Sequence, residues 1–455
     1  MPVTKIGQVV TQDSITRAIV DFAFASYARP LDEPRRDALT ARIMDVLGCA
    51  IAASEDEEVR RVAVALGFTG ESGPCTALRL GKGTVETAAF LNGMMVRFHD
   101  WNDTYVGKNG GHPSDIIAAA LAAGEEGHCS GDEVLRAIGA GQHLMLDMCD
   151  GSNALVRGWD HATYVGIAAA VAVGLLRGLD RAQFAHAISM MTASNNMLIA
   201  RSAKISAWRS LASPQALRNA LFVTALAKAD VSGPDPVFEG RLGFLEVVCG
   251  DLHLALDPAR ERSGDTHLKR FPAVFHAQAP CEIALEMRDE LGADLLAEID
   301  EIEVATHAFA IHWAGSIPAL WEPENRETAD HSIPFMVALA LLRGEVHHHD
   351  IEAGIHDEAV RALTRRVRVV EDTAASAAWP KQAPARIAIM AGGRRFEQAL
   401  IAGRGHAARP LSRDQRADKL IDNAAPVLGA QRAQAWATRL AGFSELSDVS
   451  VALQP

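Results

Sequence analysis

Lys269-Arg270-Phe271-Pro272-Ala273-Val274-Phe275-His276 divides the chain into two kinds of pattern. Before it, from Ser14 to about Lys228, apolar residues recur at helical spacing. Ser130-Gly131-Asp132-Glu133 reads as a capping box ahead of residues 134–148, Asp180 caps residues 182–192, and Ser213-Pro214 starts a further helix through Ala229. The breaker Ser232-Gly233-Pro234-Asp235-Pro236 ends this pattern. After the dividing segment, residues 302–306 and 366–369 alternate at period two. Residues 385–390 and 394–401 flank Gly392-Gly393 in the manner of a hairpin. Helical patterns at 280–291, 332–342 and 357–364 lie between them, and helical periodicity returns after Pro410 at 414–421 and 429–440. The expected architecture is mainly α with an α+β second domain. A large all-helical domain takes residues 1–268 and 405–455, and a smaller inserted α+β domain takes 269–404, with a cleft where the two meet.

Composition narrows the function classes. A chain of 455 residues, 49% of them apolar, exceeds what one compact core usually organises. Its net charge of −13 argues against a nucleic-acid or anionic-membrane surface, because phosphates are bound by clustered Lys and Arg. An acidic protein that binds an acidic metabolite needs a local basic pocket, so each cation near a histidine motif gains interest. Cys49, Cys75, Cys129, Cys149, Cys249 and Cys281 lack the close pairing that holds zinc or an iron–sulfur cluster, and read as free thiols in a reducing compartment. The first residues lack the pattern of a secretory signal, and the apolar runs at 167–176 and 337–342 are too short to cross a bilayer. A cytoplasmic protein without membrane contact is expected.

The densest chemistry lies in Phe98-His99-Asp100-Trp101-Asn102-Asp103-Thr104-Tyr105 and Lys108-Asn109-Gly110-Gly111-His112-Pro113-Ser114-Asp115. Ser114 is placed to cap a following helix, whose positive end would favour a carboxylate. Asp103 occupies a turn-forming Asn-Asp pair, and Pro113 forces extended backbone on His112. Spacing alone allows two accounts: an acid/base site, or a turn cap with His112 packed on Trp101. In Gly158-Trp159-Asp160-His161-Ala162-Thr163, His161 falls in the first turn of a long apolar helix, where the helix N-terminus would lower its pKa and suit it as a neutral base. An ordinary capping-turn residue fits as well. Lys269 and His276 sit at the composition break, where a hinge would bring a cation and an imidazole over a cleft. Lys204 and Trp208-Arg209 precede the helix at Ser213. Arg326-Glu327-Thr328-Ala329-Asp330-His331-Ser332-Ile333-Pro334 reads as mostly structural, with Asp330 or Ser332 as a helix cap. His347-His348-His349-Asp350 is expected in an exposed loop, since three adjacent histidines cannot all face one ion.

Taken in order, these segments resemble the MmgE/PrpD family, from the first helices to the last, and His112-Pro113-Ser114-Asp115 is closest to its 2-methylcitrate dehydratase branch. The resemblance implies a metal-independent hydro-lyase with no cofactor, acting on a small β-hydroxy tricarboxylate as a homodimer. It also implies proton transfer by Asp103, His112 and His161, carboxylate binding by Lys204, Arg209 and Lys269, and either role for His276. One departure stands out: Arg209 aligns with a lysine of several relatives, and an arginine binds carboxylate well but cannot shuttle a proton. Lys204 is then the candidate for the missing amine. The same scaffold serves decarboxylation of a cis-aconitate-like acid and epimerisation of an iminodisuccinate-like acid, so these are the alternative reactions. A non-catalytic carboxylate-binding protein ranks below them, because all three histidines are present.

Overall fold

The computed structural model describes residues 13–200 and 205–455, and these are mainly helical with a smaller β component. The first core is built from helices. Ser130 and Glu133 close a capping box on Gly131–Gly151, and Asp180 does the same with Gln183 on Arg181–Ser194. Helix Ala162–Leu176 is buried from residue 162 to residue 175, which explains why its sequence shows no polar face. Small residues let the backbones close up: a side chain at Gly141 would meet the Ala168 carbonyl oxygen at 2.7 Å. Trp436 and Leu440 of Ala430–Ala441, with Leu420 and Ala424 of Arg413–Leu428, belong to this same core, and Arg413–Leu428 packs on Glu33–Ala53.

A second core surrounds a four-stranded sheet in the order Val367–Glu371, Ile299–Thr306, Ala385–Ala391, Arg394–Leu400. Ile299–Thr306 runs parallel to Val367–Glu371, with Val304 opposite Val369, and antiparallel to Ala385–Ala391, with Val304 opposite Ile387. The hairpin turns on Gly392 (φ +55°) and Gly393 (φ +72°), the two left-handed positions that a two-residue loop of this kind requires. Helices Gln278–Ala297 and Ile333–Arg343 pack against the sheet and each other.

Two local expectations are corrected. Ser114 does not cap a helix; it lies inside the short 3-10 turn Pro113–Ile116, and its backbone N–H donates to Asp103 Oδ1 at 3.0 Å. The histidine run is not an exposed loop, because His347 caps the helix His348–Ile355 and the His348 ring stacks on buried His99 at 4.2 Å. Among the described residues no helix is long and apolar enough to cross a membrane. Of the six free thiols, only Cys129 is part-exposed, and burial pushes the Cys49 thiol up to about 12.

Candidate active site

A cleft with about 150 Å³ of free space opens between the helical core and the sheet-bearing core. One wall is the loop after helix Val85–Phe98, and backbone pairing zips this loop to the chain's dividing segment. Thr104 and His267 exchange hydrogen bonds at 2.9 and 2.7 Å, and Trp101 Nε1 donates to the Arg270 carbonyl at 2.9 Å. Lys269 is thereby drawn across the cleft floor. Its Nζ donates to both the backbone oxygen and the carboxylate of Asp100 at 2.7 Å.

Asp100 is the hub of the floor. Its carboxylate also takes Arg97 Nη2 at 2.9 Å and lies 3.5 Å from Arg209 Nη1. Burial pushes this carboxyl up, but Lys269, Arg97 and Arg209 outweigh burial and hold it well below the usual carboxylate range. A backbone φ of +49° at Asp100 makes this convergence possible, a conformation that costs a non-glycine residue energy and is sustained here by the three cations. Arg209 donates to Asp330 Oδ2 at 2.5 Å, and Asp330 Oδ1 holds His331 Nδ1 at 2.5 Å, so a second carboxylate orients an arginine and a histidine that both line the cleft. Among the described residues, Arg209 Nε and Nη1 have no hydrogen-bond partner although Arg209 is only 8% exposed.

The imidazoles of His112 and His161 meet edge to face above this floor. His112 Nδ1 lies 2.6 Å from the Asp103 carbonyl oxygen, which can only accept, so Nδ1 carries the hydrogen and Nε2 is the basic nitrogen. Burial lowers the His112 pKa well below its ordinary value, and the charges of Arg97 and Lys269 lower it further. His161 behaves oppositely. Burial would lower it, but Asp160 at 3.0 Å from Nδ1 and Asp115 at 3.6 Å from Nε2 raise it to about 9. The expectation of a neutral His161 is corrected here, because the helix cap is itself anionic: Asp160 Oδ1 accepts from Ala162 N at 2.9 Å and faces the same ring. Gly111 lets the strand Gly110–Gly111 lie against this histidine, since a side chain there would meet Met145 Cε at 2.7 Å and His161 Cβ at 3.4 Å.

Of the residues singled out from sequence, the cleft brings together His112, His161, Arg209, Lys269 and His276. His276 is buried, with Nδ1 unpartnered among the described residues and its ring packed edge-on to His307 at 5.3 Å. Asp103 is not in the lining; its carboxylate is fully buried behind the loop against Ser114, with burial raising its pKa, and its contribution to the cleft is the carbonyl that holds His112. Lys204 lies outside the described residues. Sequence analysis did not single out Arg97, Asp100, Asp115, Asp160 or His331. The signals were present: Asp100 follows Arg97 by three residues, and two of the site's histidines directly follow an aspartate. Among the described residues, no group of three or more His, Cys, Asp or Glu is arranged to hold a metal ion.

Comparison with known proteins agrees along most of the length. Residues 17–257 match the MmgE/PrpD N-terminal domain and residues 271–441 the MmgE/PrpD C-terminal domain. The chain is 27% identical over 411 residues to the 2-methylcitrate dehydratase of Escherichia coli (strain K12), covering 84% of this chain and 83% of that protein. It is 27% identical to the 2-methylcitrate dehydratase of Salmonella typhimurium, over 74% of this chain and 73% of that one, and 28% identical to the Cupriavidus necator enzyme of the same name, over 63% of each. With both domain models matched in order across the cleft, the chain belongs to the MmgE/PrpD family.

Proposed function

We propose that this protein is a metal-independent hydro-lyase that removes water from a small β-hydroxy tricarboxylate of the 2-methylcitrate type. The observation that carries this is the His112–His161 pair, one imidazole kept neutral and the other kept charged at one cleft. Elimination of water needs one group that accepts a proton and one that supplies a proton. The three relatives compared above are each named 2-methylcitrate dehydratase, which favours the same reaction and substrate class.

In the proposed reaction His112 Nε2 takes the proton α to a carboxylate. The electron pair left on that carbon forms the new double bond as the neighbouring C–O bond breaks. His161 gives its Nε2 proton to the departing hydroxyl, which leaves as water. That N–H is available to a substrate oxygen, since Ser213 Oγ at 3.4 Å and Asp115 at 3.6 Å are distant partners. Arg209, whose Nε has no hydrogen-bond partner among the described residues, binds a carboxylate, and Lys269 and Arg97 offset charge developing on the carbanion. Every cation in this scheme is a side chain, so no step calls for a metal. His276 bounds the far side of the substrate. We propose a homodimer in the cytoplasm as the working form; a light-scattering mass of one chain at micromolar concentration would refute the dimer.

Incubation with citrate, 2-methylcitrate and their dehydrated products tests the reaction. Ultraviolet absorbance from a new carbon–carbon double bond is expected to grow with the hydroxy acids and to decay when the unsaturated acid is supplied instead. Evolved carbon dioxide, or deuterium uptake without absorbance, would replace dehydration with decarboxylation or epimerisation.

A further inference from the structure

The chain leaves the helical core ahead of Phe271 and returns to it after Phe396, and the two crossings lie side by side. The Leu268 N–H donates to the Gly405 carbonyl at 2.9 Å, and the rings of His267 and His406 stack at 4.2 Å. Each ring also accepts a backbone hydrogen. Ala407 N–H donates to His267 Nδ1 at 3.0 Å, and Ala408 N–H donates to His406 Nδ1 at 3.0 Å. A ring nitrogen that accepts an N–H carries no hydrogen of its own, so neutral His406 holds its hydrogen on Nε2. Burial lowers the His406 pKa and keeps the ring neutral. Among the described residues that buried Nε2 has no hydrogen-bond partner.

His276 lines the active cleft and also a second, small cavity that it shares with His406 and Thr306. Its Nδ1 is buried and, among the described residues, unpartnered as well. Burial lowers the His276 pKa well below its ordinary value, and His307, His331 and Lys269 lower it further, so this ring is neutral too. The small cavity offers about 10 Å³ of free space. One water needs roughly 10–15 Å³ and two to four polar partners. The donors and acceptors match: His406 Nε2 has a hydrogen to give, His276 Nδ1 can accept one, and Thr306 Oγ1, which donates to the Pro384 carbonyl at 3.0 Å, can still accept. We infer that this cavity binds one water, which accepts from His406 Nε2 and donates to His276 Nδ1, so that His276 presents an Nε2–H to the substrate. Two buried nitrogens are satisfied by one molecule, where leaving either unpaired would carry a desolvation cost. His276 then holds a carboxylate or hydroxyl oxygen as a donor and does not serve as a base; this last step rests on the proposed use of the cleft. His406 is a positioning residue, acting on the substrate through the water and His276.

The native protein is tested first, with its histidines labelled in nitrogen-15. Long-range proton–nitrogen spectra show which ring nitrogen carries the hydrogen, and the His276 signals are those that vanish in His276→Gln. Hydrogen on His276 Nε2 is expected, with a crystal structure showing a water within about 2.7–3.2 Å of both nitrogens. Hydrogen on His276 Nδ1, or a dry cavity, overturns the inference. Two variants then test the relay. His406→Phe keeps a ring against His267 and removes the donor, whereas His406→Gln keeps a donor N–H. Affinity for propane-1,2,3-tricarboxylate, which has no hydroxyl to lose, is read by calorimetry. It is expected to fall about two- to tenfold in His406→Phe, the factor of one neutral hydrogen bond, as His276 Nδ1 gains hydrogen, and to recover in His406→Gln. A folded His406→Phe with unchanged affinity and an unchanged His276 ring overturns the role of His406. The reaction is judged separately, because the ring spectra need no substrate: failure to dehydrate any citrate would overturn the hydro-lyase reading and leave the water and the His276 hydrogen where they are.

Discussion

His112 and His161 stand edge to face with ring centroids 5.1 Å apart, yet their surroundings drive protonation in opposite directions. The difference lies in the charges around each ring. His112 is buried near Arg97 and Lys269, whose effect outweighs that of Asp100 at 4.0 Å from Nε2, so charging it is unfavourable. His161 sits between two carboxylates, so losing its proton is unfavourable. In the proposed reaction two residues of one type thereby serve as base and acid within one cleft.

Replacing His161 with Gln removes the proton donor and is expected to lower turnover by roughly two to four orders of magnitude, the range of a general acid. Stability should fall too, by about 1–3 kcal/mol, because Asp160 and Asp115 lose the cation between them. The loss depends on pH. The folded pKa, about 9, lies above the ordinary 6.5, so His161 contributes its full stabilisation below pH 6.5 and none above about pH 9. The gap in melting temperature between native protein and variant should therefore be wide at pH 6 and close by pH 9. A gap that does not narrow would show that His161 is not charged in the folded protein.

Activity should hold across a plateau whose edges belong to different histidines. On the alkaline side it falls near pH 9 as His161 loses its proton, and on the acid side it falls only well below the ordinary histidine range as His112 gains one. His112→Asn should cost roughly two to four orders of magnitude in kcat and abolish the acid limb of whatever activity remains while sparing the alkaline one. An acid limb that survives in this variant would assign the base elsewhere, His276 and His331 being the other imidazoles in the cleft.

The helices and the hairpin were legible because their signals are local. Ser130, Asp180 and Asp357 cap helices through contacts within three residues, and Gly392-Gly393 fixes its turn by backbone freedom alone. His112, His161, Arg209, Lys269 and His276 were legible as site candidates from the motifs around them. What sequence could not show was the long-range pairing that decides charge. Asp100 and Asp103 are equivalent on paper, three residues apart in one loop. The choice between them is made by Lys269, 169 residues from Asp100, and by the direction the loop turns at φ +49°. His161 was misjudged for a nearer reason first, because the charge of its neighbour Asp160 outweighs the helix end, and Asp115 then adds to it from a segment distant in the sequence.

Asp103→Ala separates the side chain of Asp103 from its backbone. The carboxylate holds the Ser114 N–H from behind the loop, whereas the carbonyl positions His112 and survives the substitution. A loss of about 0.5–2 kcal/mol in stability is expected, the cost of an emptied cap, with kcat within about tenfold and the pH profile unmoved. Calorimetry and a rate profile on this one variant check both halves. A hundredfold loss of kcat at an unchanged melting temperature would restore Asp103 to proton transfer.

Arg209→Lys tests how the floor grips its ligand. Arg209 spends Nη2 on Asp330 and leaves Nε without a hydrogen-bond partner among the described residues and Nη1 with the 3.5 Å contact to Asp100, so in the proposed scheme one planar group both anchors itself and meets the substrate. A lysine has a single charged nitrogen: satisfying Asp330 leaves little for the substrate, and turning to the substrate strands Asp330 beside His331. The expected outcome is a rise in KM of roughly ten- to a hundredfold, the equivalent of one lost charged hydrogen bond at about 1.5–3 kcal/mol, with a smaller change in kcat because the carboxylate contact exists before and during the reaction. If the guanidinium acted mainly on the developing carbanion, kcat and kcat/KM would fall together and KM would stay put. Steady-state kinetics on the variant decide between the two, and a gain in kcat would point instead to an amine serving as proton carrier at this position.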